Sequence, residues 1–462
     1  MSFPRYPEYK DSGVEWLGEV PAHWEVVRLN TIATCNDEVL LESTPEDYKI
    51  EYVEISGVQA GQGIVETAAL PFGNAPSRAR RVVRDGDVLV STVRTYLRAI
   101  AQVKCPPENM IASTGFAVLR PRRIDSRFLG YACHAEGFVS EVIARSVGVS
   151  YPAINASELT RLPLPLPTTP EQTAIATFLD RETAKIDALV AEQEKLIALL
   201  QEKRQAVISH AVTKGLDPNV TMKDSGVEWL GEVPAHWEVK QLRHIAKIVR
   251  GASPRPAGDP KFFTSEAVIG QTTPWVTVAE ITKDAEIYLR DVKEYLTVLG
   301  AESSQFFPSG TLVFTNSGAT LGVPKVLAID CCANDGVLAF RDLSTSIDIL
   351  FAYHFLSTTT DRLRTEMKQG GGQPNLNTDI VKNIGIALPP RDEQDAIVGY
   401  LASENTKFVV LVTEARSAIT LLQERRTALI SAAVTGQIDV RGLTGNARAP
   451  DSIAASAYPA SA

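Results

Sequence analysis

Between residues 175 and 207 the chain steps in alternating strides of four and three through Ile175, Leu179, Glu182, Ile186, Leu189, Gln193, Leu196, Leu200, Lys203 and Val207. That is the a/d spacing of a coiled-coil helix sustained over several heptads. Adding 222 to each number gives Ile397, Leu401, Glu404, Phe408, Leu411, Ala415, Ala418, Leu422, Arg425 and Leu429, so the polar interruptions recur in the same slots. Each helix runs about 40 residues, roughly 60 Å at 1.5 Å per residue, and is longer than a small domain is wide. The pattern predicts two spacer helices paired antiparallel, with Glu182 and Glu404 each facing the other helix's Lys203 or Arg425. Two amphipathic helices, each packed only on its own domain, are the alternative.

Ahead of each helix the period changes from 3.6 to 2. Short β-branched runs such as Asp87–Val93 and Thr311–Thr315 follow glycine turns at Gly86 and Gly310, which predicts mixed, strand-rich domains. Proline-rich joints, LPLPLPTTP and LPPRDEQ, end each domain and open the helix, with Glu171 and Glu393 placed for its first turn.

The regularity extends to the whole chain. Residues 10–26, KDSGVEWLGEVPAHWEV, return letter for letter at 223–239, an offset of 213. The helices and their joints return at an offset of 222, and between these anchors the two halves scarcely resemble each other. A tandem duplication has kept its frame and replaced its contents. The resulting division is a domain at 1–166 with a helix at 167–215, a second domain at 222–388 with a helix at 389–437, and a disordered tail at 438–462, rich in Ala, Ser and Pro toward its end.

Composition alters this picture at two points. The net charge of −9 argues at first against a polyanionic partner, whose phosphates need Lys and Arg. Yet residues 76–127 hold eleven Lys/Arg against four Asp/Glu, and residues 240–261 hold six against one, so each half of an acidic body carries one basic region. The five cysteines, Cys35, Cys105, Cys133, Cys331 and Cys332, form no CxxC pair, and no HExxH occurs, so they read as reduced thiols with no metal among them. With no leader-like opening and no long apolar run, the expected location is the cytoplasm, away from membranes.

Taken in order and twice over, several motifs carry a resemblance. They are the GVEWLGEVPAHWEV opening of each half, GDVLVSTVRTYLRAIA at 86–101, the loops GVSYPAIN at 148–155 and GGGQPNLN at 370–377, the joints LPLPLPTTPEQ and LPPRDEQ, and the helix ends QEKR and QERR. Nearly the whole chain resembles the specificity subunit of type I restriction-modification enzymes. The resemblance implies an α+β, pseudo-twofold tandem duplication, with two target recognition domains and an antiparallel coiled coil. Each domain would bind half of a split, asymmetric site in double-stranded DNA, and the helices would fix the spacer between half-sites. It further implies docking of two methyltransferase subunits, joined by motor-endonuclease subunits. Adenine methylation and ATP-dependent cleavage would then belong to the complex, with S-adenosylmethionine, ATP and Mg on the partners and no cofactor in this chain.

On that reading the candidate DNA contacts of the first half are Arg78, Arg80 and Arg81 in the cluster that ends at Arg84, then Ser91, Thr92, Arg94 and Arg98. Arginine holds phosphates or pairs bidentately with guanine; a solvated basic face is the alternative for any single one. In the second half they are Arg250, Ser253, Arg255 and Lys261 in the loop RGASPRPAGDPK, and Thr315, Asn316 and Ser317 just after a strand. The equivalent loops before the joints add Ser150 and Tyr151, and Gln373 and Asn375. Because the halves should read different bases, the identical segment with Trp16, Trp24, Trp229 and Trp237 belongs to the core or to partner docking, and His23 and His236 are structural hydrogen-bonding groups.

Catalysis has little support. No GxxxxGK[ST] loop and no Asn-Pro-Pro-aromatic tetrad is present, Gly57, Gly61 and Gly63 read better as a turn than as a cofactor loop, and Asp361, Glu366 and Lys368 are spaced too tightly for a nuclease triad. A non-catalytic interaction scaffold and a cryptic nuclease are the rival readings.

Overall fold

The computed structural model describes residues 3–318, 320–365 and 376–443. Two compact units divide the chain, one of Met1–Glu194 with Arg416–Ala462 and one of Lys195–Ala415. The first unit thus holds both ends of the chain.

In the first unit two four-stranded sheets form the domain. One has the order Ile100–Gln102, Val88–Ser91, Phe116–Pro121, Ala33–Cys35; the other has Ala68–Pro71, Lys49–Val53, Met110–Ser113, Ala79–Val82, with a parallel pair at its centre. Strand Val88–Ser91 is covered on both faces. Val88 and Val90 join the core beneath helices Ser126–His134 and Glu136–Ala144, and Leu89 joins a second core with Val53, Phe116 and Val118. Burial on both sides is why this segment reads as an unbroken apolar run.

The second unit repeats this order with different side chains. Lys247–Arg250, Val337–Arg341, Leu312–Thr315 and Pro324–Leu327 make one sheet, and Tyr295–Thr297, Thr272–Val276, Cys331–Ala333 and Gln305–Phe307 make the other, again with a central parallel pair. Tyr288–Leu289 and Phe263–Thr264 each add an edge strand. Residues 312–315 alternate between two cores as 88–91 do, with Leu312 and Phe314 on one side and Val313 on the other.

The long helices span Thr169–Lys214 and Arg391–Val434. Within the first unit Ile175, Phe178 and Leu179, near the start of one helix, share a core with Leu429, Ile430, Ala433 and Val434, near the end of the other. Within the second unit Ile208, Ala211 and Val212 share a core with Ile397 and Leu401. Start meets end in both units, so the pairing is antiparallel. Arg426 Nη1 and Asp187 Oδ1, 2.8 Å apart, link the helices in the first unit, but with side chains 25% and 54% exposed such a pair contributes under about 1 kcal/mol. Each fully buried Leu or Ile contributes about 1.5–3 kcal/mol. Apolar burial holds the helices together.

The cross-helix acid-base contacts expected of the matched heptads do not form. Glu182 binds Arg181 and Lys185, and Glu404 binds Lys407, all on their own helices. A partner three residues away lies one turn along the same face and captures the carboxylate first.

Each joint is built from the dipeptide Glu-Gln in the helix's first turn. Glu171 Oε1 lies 2.8 Å from His23 Nε2 and accepts from the Trp24 indole at 3.5 Å; Glu393 meets His236 at 2.8 Å and Trp237 at 3.1 Å. Buried Gln172 donates to the Pro167 carbonyl and accepts from the Asp125 N–H, and Gln394 does the same with Pro389 and Asp348. Asp125 and Asp348 in turn cap helices Ser126–His134 and Ile349–Ser357. His23 and His236 are therefore hydrogen-bonding groups of the frame, and Trp24 and Trp237 are fully buried.

Past each long helix a glycine turns the chain with positive φ, Gly215 at +78° and Gly436 at +77°. A Cβ on Gly436 would lie 2.3 Å from Pro21 Cδ. Part of the chain expected to be a tail from 438 is packed instead: Val440 is fully buried, and Asp439 N–H donates to the Pro4 carbonyl at 2.8 Å. Residues 444–462 lie outside the described residues.

Replacing Gln172 or Gln394 by Leu leaves a buried carbonyl and a capping residue's N–H without partners. Each substitution is expected to lower stability by about 2 kcal/mol, measured as a drop in the denaturant midpoint with an unchanged slope.

Candidate nucleic-acid interface

The two domains converge on the same junction. In the first, Thr92 N–H donates to the Gly115 carbonyl (2.8 Å) and Thr92 carbonyl accepts from Ile154 N–H (2.9 Å); in the second, Asn316 N–H donates to Gly336 (3.0 Å) and its carbonyl accepts from Leu376 (2.7 Å). Thr92 and Asn316 are thus equivalent positions, each at the root of the loop that leaves the sheet. A Cβ on Gly115 would lie 2.5 Å from Ile55 Cδ1, so any side chain at this strand turn would have to push the Ile55 end aside.

From this root the first unit builds a composite surface. Arg94 N–H donates to the Pro152 carbonyl at 2.7 Å, Thr95 Oγ1 lies 2.8 Å from Ser146 Oγ, and Val147 and Ala153 exchange backbone hydrogen bonds. Loop 92–98 and hairpin 147–153 are therefore one structure, and Arg94 and Tyr151, distant in sequence, meet, with Ser150 exposed in the same hairpin. The Arg94 guanidinium stands 4.6 Å from the centre of the Tyr151 ring, a cation–π stack. Tyr96, Leu97 and Val149 beside it are exposed; the sequence reading missed all three, and only their apolar character inside polar loops signals them.

The arginine cluster is less uniform than its spacing suggests. Arg78 pairs with Glu54, Arg84 with Glu38, and Arg98 bidentately with Glu136. Arg80 lies over Phe72, 4.7 Å from its centre, and Arg81 is half-buried with its Nε lacking a partner. Ser91 and Thr92 require correction as contacts. Both are buried, their hydroxyls donating to the Val93 and Gly115 carbonyls, so in this structure they shape the loop.

In the second unit the same correction applies to Thr315 and Asn316. The Thr315 hydroxyl donates to the Thr320 carbonyl and accepts from Val323 N–H, while Asn316, only 1% exposed, keeps its amide beside Leu376. Ser317 is half-buried at the loop's start. The basic loop is organised by one residue the sequence reading passed over. Asp335 accepts from Ser253 Oγ at 2.7 Å, its carbonyl accepts from Arg250 Nε at 2.5 Å, and its carboxylate stands 3.7 Å from Arg255. The Ser253 hydrogen bond, aided by the two arginines, holds the Asp335 carboxyl below the usual range. Lys261 is exposed beside Phe262. Gln373 and Asn375 lie outside the described residues.

Gly57, Gly61 and Gly63 shape a hairpin of Val58–Gln59 and Gly63–Ile64. A Cβ on Gly57 would lie 2.4 Å from the Glu66 carbonyl oxygen, so a side chain there would collide with the backbone that returns beside it. Asp361 sits in helix Thr360–Thr365, and Glu366 and Lys368 are outside the described residues. Among the described residues no group of three His, Cys, Asp or Glu side chains is arranged to hold a metal, and no helix is long and apolar enough to cross a membrane. The five cysteines are free, three of them buried and Cys105 exposed.

A duplicated domain with one conserved junction and two unlike loops defines a tandem recognition protein. The family model described as the type I restriction modification DNA specificity domain matches residues 21–198 and again 234–406. The chain belongs to that family. It is 23% identical over 437 residues to the MjaVIII type I restriction enzyme specificity subunit of Methanocaldococcus jannaschii, covering 92% of this chain and 95% of that one. The EcoKI specificity subunit of Escherichia coli K12 is 22% identical, with 82% of each chain covered. A solved chain from a study of complex assembly and conformational transition in the type I R-M system superposes with a TM-score of 0.67 at 22% identity, over 90% of this chain and 98% of that one.

Glu38 offers a test of the ion-pair network. Hydrogen bonds from Arg84 and then Arg120 lower its pKa from 4.5 to about 2. A pKa depressed by folding stabilises the folded state above the unfolded value and loses that effect as pH falls through the folded one. The wild-type thermal midpoint should therefore fall more steeply between pH 4.5 and about 2 than that of Glu38→Gln; parallel curves would show that the pairs contribute nothing.

Proposed function

We propose that this chain is the non-catalytic, DNA-reading subunit of a type I restriction-modification complex, with one recognition domain on each half of a bipartite, asymmetric site. The observation that carries the reading is the junction at Thr92 and Asn316, where one backbone arrangement is built twice and bears unlike loops. Equal frames present each domain to duplex DNA in the same way, as twofold readers do, and unlike loops give the halves different sequences. The antiparallel helices set the spacer and offer docking surfaces to two methyltransferase subunits. These carry S-adenosylmethionine and methylate adenine, and motor-endonuclease subunits with ATP and Mg complete the restriction complex in the cytoplasm.

Methylome sequencing of cells carrying the complex tests the reading. Exchange of residues 27–161 for those of another family member should change one half-site and leave the other intact. Inserting residues at Thr213–Thr221 should lengthen the spacer while both half-sites stay the same. Altered half-site bases after the insertion would defeat the ruler role of the helices. A complex with its methyltransferase subunits that binds no duplex at any salt concentration would leave the chain a protein-interaction scaffold.

A further inference from the structure

The basic segment 76–127 holds eleven cations, and the structure sorts them. Arg78, Arg84, Arg98, Arg120, Arg122 and Arg127 are each tied to a carboxylate. An arginine in such a pair must break it before it can grip a base. Arg80 and Arg81 lie half-buried along strand Ala79–Val82. Lys104 and Arg123 are exposed and, like Arg94, form no ion pair among the described residues, but of these three only Arg94 lies over an aromatic ring. Among the described residues no carboxylate lies within ion-pair distance of it; it is exposed, and its guanidinium is stacked on Tyr151 in the domain's composite surface, near Val149, which is fully exposed.

The backbone supplies an independent observation. With Thr92 equivalent to Asn316, Arg94 is equivalent to Gly318. Both residues are left-handed, Gly318 at φ +77° and Arg94 at φ +50°. Glycine takes this conformation without steric cost, whereas a residue with a Cβ is strained there. The second unit uses glycine at this corner; the first accepts the strain to carry an arginine. Strain of this kind collects where a side chain has a task.

The stack also limits what the task can be. A phosphate is met by any flexible cation, lysine included, whereas a guanidinium held over an aromatic ring keeps its fork of two parallel N–H donors in one place. In the major groove the matching acceptors are the O6 and N7 of guanine. We propose that Arg94, oriented by Tyr151, reads a guanine in the half-site of the first domain, and that the second domain, with Gly318 at this corner, makes no such contact. This rests on the DNA-reading function above. Tyr151 is a positioning residue in it.

The test uses the purified complex with its methyltransferase subunits and a competitive binding library of duplexes varied one base pair at a time. The first domain's half-site is identified by the exchange of residues 27–161. Wild type should prefer guanine at one position of that half-site, and Arg94→Gly, which suits the left-handed backbone, should reduce that preference about 10- to 100-fold with the other half-site unaffected. Tyr151→Ala should weaken the same preference, and Tyr151→Phe should keep it. An Arg94→Gly complex that loses affinity equally on every sequence makes Arg94 a phosphate contact and overturns the proposal, as does an unchanged preference. A wild-type complex that selects no sequence at all would instead defeat the underlying DNA-reading function.

Discussion

At the first turn of each long helix, a glutamate and a glutamine tie three separate stretches of chain to one point. Glu171 reaches back to His23 and Trp24 in the segment that opens the repeat, and Gln172 binds the proline joint and the N–H of Asp125, which caps the helix beneath the sheets. Burial raises the pKa of Glu171, and hydrogen bonds from His23 and Thr168 outweigh it, so the carboxyl stays below its usual range and remains an acceptor. Glu393 and Gln394 reproduce the arrangement with His236, Trp237 and Asp348. The domain's sheet, its covering helix and the long helix are oriented by these side chains, and the loops at Thr92 and Asn316 inherit their direction from that frame. Within the identical seventeen residues, the His-Trp pair of each copy meets the equivalent glutamate, Glu171 in one and Glu393 in the other.

With the frame constant, the freedom lies in what leaves the junction. Two edge strands are added in the second domain, the basic loop is gathered by Asp335 in the second and divided among ion pairs in the first, and a glycine corner in one is an arginine corner in the other. None of these changes disturbs the strand order, because strands 88–91 and 312–315 are buried on both faces by side chains that need only be apolar and of suitable size.

What the sequence made legible follows from what has a period. The helices, the strands at Asp87–Val93 and Thr311–Thr315, the joints and the duplication all repeat at fixed spacing, and the loops at Arg94 and at Ser150–Tyr151 stood out by composition. The pairing state of the arginines did not, because their partners Glu54, Glu38 and Glu136 are between 24 and 46 residues away and only the fold brings them near. Ser91, Thr92, Thr315 and Asn316 looked like exposed polar contacts because a hydroxyl or amide that satisfies a buried carbonyl has the same one-letter code as one that faces solvent. The heptad slots located the apolar faces of the helices, but they could not rank Lys185 three residues along the same helix against a base on the other.

The division of each long helix between two units has a consequence for how the chain comes to be folded. Residues 195–415 are contiguous, so every partner in the second unit's core is available once synthesis has passed them. The first unit's core needs Leu429, Ile430, Ala433 and Val434 to cover Ile175, Phe178 and Leu179, a closure across about 250 residues of chain, and long closures of that kind are slow. The domain that is made first is therefore the one completed last, and until the C-terminal helix returns to it, the apolar face of its own helix stays open to water.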